Sequence, residues 1–201
     1  MRVLVPYAPE EPKTRLSDAL DAGERAAFSR AMLADVLGAL REAGREPEVL
    51  ATAPVEVDAS VTVDERPLTP AVNAALGSGP VAVVMADLPL ATPAALERLF
   101  GTPGDVVIAP GRGGGTNALV ARDPAFRVDY HGASYLDHLR AARAAGASVG
   151  EVDSHRLATD IDEPGDLVEL LLHGEGAARE WLRDAGFELD LEGGRVGVRR
   201  A

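Results

Sequence analysis

The stretch Val81-Ala82-Val83-Val84-Met85 decides the fold, because an apolar run without polar alternation is typical of a strand buried on both faces of a parallel sheet. Short strands with similar apolar runs are predicted at residues 3–5 and 105–109, the second apolar from residue 106, and segments of helical period separate them. Strands that alternate with helices in this way favour an α/β fold with a mostly parallel sheet and helices on both sides.

Outward from this run, the same patterns predict the other elements of the fold. Asp21 and Glu24 form a capping-box pattern at the start of a long helix that ends near Gly44. Further strands are predicted at residues 48–51, 60–63, 117–121 and 149–152, and further helices at 69–76, from 92, at 134–145 and from 162 or 163 to 172.

The end of the chain has a different pattern from the rest. After a helical stretch at residues 177–185, two apolar segments at 187–191 and 196–198 flank Gly193-Gly194, which predicts a β-hairpin. We therefore expect a main domain over residues 1–172 and a C-terminal extension over 173–201.

Composition limits the class of protein. The formal net charge is −12, from 32 acidic and 20 basic residues, which argues against nucleic-acid binding because clustered basic side chains bind phosphate backbones. The chain has no cysteine for disulfides or thiolate metal sites, and no apolar stretch approaches the roughly 20 residues of a membrane span. We expect a cytoplasmic protein without a membrane partner, and the acidic excess suggests a halophilic one.

Lys13 is the only lysine and lies in the run Pro12-Lys13-Thr14-Arg15-Leu16, while every other basic residue is an arginine. A lysine of no special role in a loop is one interpretation. The other is that a site needs a compact ammonium charge, which a planar guanidinium does not reproduce. The position after the first strand favours the second, because ligands of α/β proteins bind beyond strand ends.

Carboxylates follow two other predicted strands. Asp87 comes directly after the run at residues 81–85, and Asp160 and Asp162 follow the strand at 149–152. Each of them could instead cap the helix that comes next. Together they offer the hard oxygen ligands that Mg²⁺ prefers, and Asp87 with Asp160 gives a pair at neighbouring strand ends.

Two glycine-containing segments could bind an anion. Gly111-Arg112-Gly113-Gly114-Gly115-Thr116-Asn117 lets backbone N–H groups approach a ligand closely, although a plain flexible turn is the alternative. Gly132-Ala133-Ser134 offers N–H groups and a hydroxyl at the start of a helix, although Ser134 could be an ordinary cap.

The sequence offers no histidine or nucleophile motif. The four histidines, His131, His138, His155 and His173, show no metal-ligand spacing, and no nucleophile elbow occurs. The remaining set is one ammonium, guanidiniums, glycine-rich anion loops and a carboxylate pair. It suits phosphoryl or nucleotidyl transfer, in which catalysis is largely positioning and charge stabilisation.

Five sequence blocks spread over about residues 1–170 form a further pattern. The blocks are Pro12-Lys13-Thr14-Arg15-Leu16, Met32-Leu33-Ala34-Asp35-Val36-Leu37, Ala86-Asp87-Leu88-Pro89-Leu90, Gly114-Gly115-Thr116-Asn117-Ala118-Leu119 and Thr159-Asp160-Ile161-Asp162-Glu163-Pro164-Gly165-Asp166-Leu167. In their order and spacing they resemble the 2-phospho-L-lactate guanylyltransferase family, and in particular its haloarchaeal members.

The resemblance implies a Rossmann-like three-layer sheet of the glycosyltransferase-A-like nucleotidyltransferase type. The implied reaction joins GTP to 2-phospho-L-lactate, giving lactyl-2-diphospho-5′-guanosine and pyrophosphate in coenzyme F(420) biosynthesis. The implied catalytic residues are Lys13, Arg15 and Asp87, with Lys13 and Arg15 on the triphosphate.

Further residues follow from the same resemblance. Asp87 with Asp160 or Asp162 would hold Mg²⁺, and Asn73 would lie near the nucleoside. The residues implied for the small phosphorylated hydroxy acid are Thr116, Gly132 and Ser134.

Several alternatives stay open. The acceptor could be phosphoenolpyruvate or 3-phosphoglycerate, and a molybdopterin-type nucleotidyltransferase would have a similar fold. Such an enzyme would carry a loop such as GGxSxRMG after the first strand, whereas this chain has Pro6-Tyr7-Ala8-Pro9-Glu10-Glu11-Pro12-Lys13. A non-catalytic nucleotide-binding regulator is the alternative of another class. The terminal hairpin could mediate a homodimer.

Overall fold

A seven-stranded sheet forms the centre of the protein, whose computed structural model describes residues 1–77, 79–192, 194 and 196–201. The strand order is β3-β2-β1-β4-β6-β5-β7, and the pairs that exclude β6 are parallel. This confirms the predicted α/β class. The strands are β1 (Arg2–Tyr7), β2 (Pro47–Ala51), β3 (Ser60–Val63), β4 (Val81–Val84), β5 (Val106–Pro110), β6 (Thr116–Ala121) and β7 (Val149–Glu151).

Strand β6 is antiparallel to both of its neighbours, β4 and β5. Only residues 111–115 separate β5 from β6, and a connection that short allows a hairpin but not a parallel crossover of about a dozen residues or more. As a result, the start of β6 lies beside the end of β4, where Met85 N–H donates to the Asn117 carbonyl at 3.0 Å. The glycine-rich loop thereby reaches the carboxyl edge of the parallel strands.

Helices cover both faces of the sheet and make three layers. One face packs against α1 (Ala22–Glu42), α3 (Pro93–Gly101) and α5 (His155–Ala158), and the other against α2 (Leu68–Ala75) and α4 (Ser134–Ala144). All four residues of β4 are at most 1% exposed, as the uninterrupted apolar run predicts. Among the described residues, none of the helices is long and apolar enough to span a membrane.

The predicted start of α1 is confirmed. The Asp21 carboxylate accepts the Glu24 N–H at 2.8 Å, and the Glu24 carboxylate accepts the Asp21 N–H at 3.0 Å. This reciprocal box satisfies two N–H groups that the first helical turn leaves without partners. The helix therefore begins immediately after the loop that carries Lys13.

The C-terminal part packs against the main domain. Helix α6 (Leu167–His173) lies almost entirely in the predicted main domain, and the predicted extension comprises α7 (Ala177–Asp184) and the antiparallel hairpin of β8 (Phe187–Asp190) and β9 (Gly197–Arg200). The hairpin is confirmed, although Gly193 of its predicted bend lies outside the described residues. Asp35 of α1 accepts the N–H groups of Ala177 at 2.6 Å and Ala178 at 2.9 Å, which fastens α7 to α1.

Candidate functional site

Lys13 lies between two of the carboxylates that the sequence singles out. Its Nζ is 2.6 Å from Asp87 Oδ2 and 2.6 Å from Asp162 Oδ1, and its side chain is only 10% exposed. Burial by itself disfavours the ammonium, but the charges and hydrogen bonds of the two carboxylates outweigh burial and raise the pKa of Lys13. The lysine is therefore a fixed positive charge at the edge of the sheet.

The backbone at Lys13 is strained. Its φ of 55° and ψ of 44° are left-handed, a conformation that costs a residue with a Cβ roughly 1 kcal/mol or more. A short 3₁₀ turn at Thr14–Leu16 follows, anchored by the fully buried Leu16. Arg15 in this turn places Nη1 3.1 Å from Asp162 Oδ2 and remains largely exposed. The strained loop thus holds two cations, Lys13 and Arg15, beside the carboxylates.

Asp160 is the third carboxylate of this group. Asn117 Nδ2 donates to Asp160 Oδ1 at 3.0 Å. Burial raises the pKa of Asp160, and the negative charges of Asp87 and Asp162 raise it further. Three carboxylates thus face two basic side chains, and a bound cation would relieve the remaining repulsion.

The structure excludes the helix-cap interpretation of these carboxylates. Helix α3 is capped by Thr92, whose Oγ1 accepts the Ala95 N–H at 3.3 Å, so Asp87 is not its cap. At the later helix, the expectation that Asp160 or Asp162 is the cap is wrong. Glu163 is the capping residue there, and its own N–H donates to Asp166 Oδ2 at 2.9 Å. Thr92 and Glu163 therefore cap these two helical segments, and the three aspartates do not.

The glycine-rich loop is folded tightly onto the site. Gly111 N–H donates to the Gly115 carbonyl at 2.9 Å, and Arg112 N–H donates to the Ala158 carbonyl at 2.9 Å. Arg112 and Gly113 line a polar cavity of about 310 Å³ that the loop shares with Arg15, Asp160, Asp162, Glu163 and Asp166. The loop is therefore one wall of the candidate site and more than a plain turn.

We expect Gly111→Ala to damage the site through Asn117. An added Cβ would lie 2.4 Å from Asn117 Oδ1, so the amide that supports Asp160 has to move. The variant should lose about 1–3 kcal/mol of unfolding free energy in urea, as overpacking typically does, together with activity. Gly113→Ala is the matched control for stability, because a Cβ there meets nothing within 4 Å. Equal stability of the two variants would contradict this account.

Thr116 and Ser134 come together in a buried network. The Thr116 N–H donates to Ser134 Oγ at 2.9 Å, so Ser134 does not cap α4. His138 Nε2 accepts the Asp129 N–H at 2.9 Å, which leaves the ring proton on Nδ1, 2.8 Å from Thr116 Oγ1. Both hydroxyl oxygens therefore accept hydrogen bonds from the protein and keep their own hydrogen atoms for another acceptor.

His138 should make the protein sensitive to acid. Burial lowers its pKa to about 4, against the weaker opposing effects of Asp129 and Asp137. His138 is harder to protonate in the folded protein than in the unfolded chain, where its pKa is about 6.5. The free energy of unfolding should therefore be unaffected by His138 above pH 6.5 and should fall as the pH drops toward 4, by up to about 3 kcal/mol. Urea unfolding between pH 4 and 7.5 should show a shallower pH dependence for His138→Gln. Parallel curves for the two proteins would refute the prediction.

The other residues implied for substrate binding have different surroundings. Asn73 Nδ2 donates to the Val128 carbonyl and Asn73 Oδ1 accepts the Val128 N–H, both at 2.9 Å, so its amide fastens α2 to that segment. Gly132 is exposed and has a left-handed φ of 54°. The roles of Asn73 at the nucleoside and Gly132 at the acid remain predictions.

Two of the four histidines come together with a glutamate in the structure. Although the sequence shows no metal-ligand spacing, His155, Glu169 and His173 place one ligand atom each within 4.8 Å of one another. Among the described residues, no other group of three or more His, Asp or Glu side chains brings its ligand atoms this close together. Asp87, Asp160 and Asp162 do not form such a group. No sequence motif predicts this group, because His155 is on a different helix from Glu169 and His173.

A mostly apolar cavity of about 310 Å³ lies beside Lys13. It is lined by ends of β1 and β2 and by α2, with Asp64 and Arg66 as its charged residues. Pro6, Tyr7, Ala8 and Met85 also line a smaller cavity that contains Lys13, Asp87 and Asp162. The volume of the apolar cavity is at the lower end of the roughly 300–1,000 Å³ typical of ligand pockets. The apolar cavity is therefore a candidate site for the base of a nucleotide.

Sequence comparison finds similar proteins that span the whole chain. Residues 1–200 match a family model described as guanylyl transferase CofC like. A 2-phospho-L-lactate guanylyltransferase of Halomicrobium mukohataei is 62% identical over 202 residues, covering 100% of both chains. The protein of the same name from Haloferax volcanii is 64% identical and covers 98% of this chain and 97% of its own.

Solved structures with the same fold are more distant in sequence. A Desulfovibrio desulfuricans protein named as a nucleotide-diphospho-sugar transferase has a TM-score of 0.73 at 19% identity, covering 92% of this chain and 95% of its own. A cytidylyltransferase from Leptospira borgpetersenii has a TM-score of 0.56 at 14% identity, covering 91% and 92%. These structures confirm the nucleotidyltransferase type of fold.

Proposed function

Because this chain belongs to the guanylyl transferase CofC-like family, we propose that it joins GTP to 2-phospho-L-lactate, giving lactyl-2-diphospho-5′-guanosine and pyrophosphate in coenzyme F(420) biosynthesis. The family match confirms the sequence-based prediction of a nucleotidyltransferase. The bond formed is between an acceptor phosphate oxygen and the α-phosphorus of GTP, and the bond broken is between that phosphorus and the leaving pyrophosphate oxygen.

The observation that carries this proposal is the pairing of Lys13 with Asp87 and Asp162. A buried, permanently charged ammonium at the carboxyl edge of the sheet is suited to the triphosphate, and it is already held in a strained backbone loop. When the triphosphate binds, Lys13 exchanges its carboxylate partners for phosphate oxygens. Arg15, which is exposed beside it, adds a second cation to the same place.

The donor set also fits Mg²⁺. Asp87 with Asp160 or Asp162 would hold the ion, because burial and the negative charges of Asp87 and Asp162 raise the pKa of Asp160 and a cation relieves that repulsion. Bound there, Mg²⁺ would neutralise charge on the phosphate oxygens. Asn117 keeps Asp160 oriented, and Gly111 gives the Asn117 amide the space to do so.

The chain needs no general base for this reaction. An ionised phosphate monoester is itself a nucleophile, so the protein has to align the two phosphates and stabilise the charge of the leaving group. Lys13 is placed for the second task. Thr116 and Ser134 are suited to the first, because each hydroxyl has a hydrogen atom to donate to a phosphate or carboxylate oxygen.

A pyrophosphate-release assay tests the proposal. Four nucleoside triphosphates are crossed with 2-phospho-L-lactate, phosphoenolpyruvate and 3-phosphoglycerate, with and without Mg²⁺ and at low and molar KCl. We expect the highest rate with GTP, 2-phospho-L-lactate and Mg²⁺, and activity that persists at molar KCl because the chain is strongly acidic. GTP binding without pyrophosphate release in any combination would overturn the proposal in favour of a nucleotide-binding regulator.

A further inference from the structure

We propose that His155, Glu169 and His173 form a binding site for a divalent transition-metal ion such as Zn²⁺. The site lies on the helices α5 and α6 and is distinct from the aspartate group around Lys13. It goes beyond the reaction proposed above, which requires no histidine and no transition metal.

The fold brings the three side chains together from two helices. Glu169 and His173 are four residues apart on α6, so they share one face of that helix. His155 is the first residue of α5, and its ring centroid lies 5.2 Å from that of His173, with the ring planes at 81°. The edge-to-face arrangement turns a ring nitrogen of each histidine toward the same carboxylate.

The distances are close to those of ligands around a common ion. His155 Nε2 is 3.4 Å and His173 Nε2 is 3.7 Å from the same oxygen, Glu169 Oε2. Neither imidazole forms a hydrogen bond with Glu169. Tetrahedral zinc with ligands at about 2.0–2.2 Å separates its ligand atoms by about 3.3–3.6 Å, so little movement is needed to close the site.

The donor types select the metal. Two imidazoles and one carboxylate suit Zn²⁺, Ni²⁺, Co²⁺ or Cu²⁺, whereas Mg²⁺ prefers oxygen ligands alone. Three protein ligands leave the fourth position of a tetrahedral ion for water. The side chains of His155, Glu169 and His173 are 48%, 26% and 45% exposed, so an ion can enter from solvent and keep that water.

Neighbouring groups hold the ligands in place. His155 Nδ1 lies 3.5 Å from Thr159 Oγ1, which leaves Nε2 as the nitrogen turned to Glu169. Arg112 Nη1 is 3.9 Å from Glu169 Oε1, the oxygen that the histidines do not face. Such outer contacts orient metal ligands in established sites.

The position of the site links it to the candidate active site. In the sequence, His155 precedes Asp160 and Glu169 follows Asp162. An ion bound to His155 and Glu169 would therefore join the two ends of the segment that carries Asp160 and Asp162. Arg112, beside Glu169, belongs to the glycine-rich loop. Zinc should therefore reduce the mobility of residues 159–166, because the ion ties both ends of that segment to each other.

Calorimetric titration of the full chain with ZnCl₂ tests the site, at saturating Mg²⁺ so that the aspartate group is occupied. We expect one Zn²⁺ per chain and slower amide hydrogen exchange at residues 159–166. His173→Ala and Glu169→Gln should each weaken zinc binding by at least about 100-fold, while His131→Ala, which removes another exposed histidine, should not. Visible absorption of bound Co²⁺ should indicate tetrahedral coordination in the wild-type protein.

Two outcomes would overturn the proposal. One is equal zinc affinity in the wild type and in both ligand variants. The other is zinc binding that Mg²⁺ displaces completely, which would assign the ion to the aspartates. Failure of the guanylyl-transfer assay would leave this result unaffected, since zinc binding is measured without substrate.

Discussion

Lys13→Ala is expected to lower the turnover of pyrophosphate release by at least about 10²–10³-fold, the usual cost of removing one group that stabilises charge in a transition state. The structure supports this size of effect because Lys13 is the buried cation nearest to the carboxylates that would hold Mg²⁺. Steady-state rates with saturating GTP and acceptor provide the measurement. Turnover close to that of the wild type would rule out the role.

The same variant should separate catalysis from folding. Without Lys13, Asp87 loses this ion-pair partner while Asp162 keeps Arg15, and because the two carboxylates are 27% and 34% exposed we expect a loss of only about 1–2 kcal/mol of unfolding free energy. Added Mg²⁺ should stabilise Lys13→Ala more than the wild type, because the ion no longer competes with the ammonium. Equal Mg²⁺ stabilisation of both proteins would indicate that the ion binds elsewhere.

Lys13→Arg is the matched control. It keeps the positive charge, so it should recover most of the lost stability in the absence of Mg²⁺. A planar guanidinium is larger than an ammonium and directs its donors differently, so turnover should remain well below that of the wild type. Recovery of both properties would mean that any cation suffices at this position.

Asp87→Asn should lower turnover by about 10³-fold or more, because it removes the charge of the carboxylate shared by Lys13 and the predicted Mg²⁺. The Mg²⁺ concentration needed for half-maximal residual activity should rise as well. The substitution preserves the shape of the side chain and leaves Lys13 paired with Asp162, so folding should change little. Measurements of rate against Mg²⁺ concentration test both expectations.

Asp58→Asn is the control for the change in net charge. Asp58 is fully exposed and pairs with Arg41 at 3.4 Å, a surface contact of the kind that contributes little to stability. This variant should behave as the wild type in both assays. A rate for Asp87→Asn within a few-fold of this control would remove Asp87 from the catalytic group.

Much of the fold could be predicted from local pattern. The run at residues 81–85 identifies a central strand, and the capping box at Asp21 identifies the start of α1. Both depend on residues within one element, where periodicity and capping chemistry act directly. The antiparallel direction of β6 also follows from a local fact, the five-residue length of the connection from β5.

The location of the candidate site was predictable for a related reason. Parallel strands end at the same edge of a sheet, so residues that follow β1 and β4 come to lie near one another wherever the strands are adjacent. Lys13 and Asp87 meet in this way, since β1 and β4 are neighbours in the sheet. Sequence pattern could not indicate that Lys13 would also reach Asp162, because that contact depends on the path of the segment after β7.

The sequence by itself determined the order of elements, the buried faces of the sheet and the edge at which polar residues collect. Only the tertiary structure decided which side chains became partners: Asn73 with Val128, Thr116 with His138, and His155 with Glu169 and His173. The physical reason is that periodicity assigns a residue to a face of its own helix or strand. Which distant residue lies within 3 to 4 Å of it depends on how elements cross and how loops connect them.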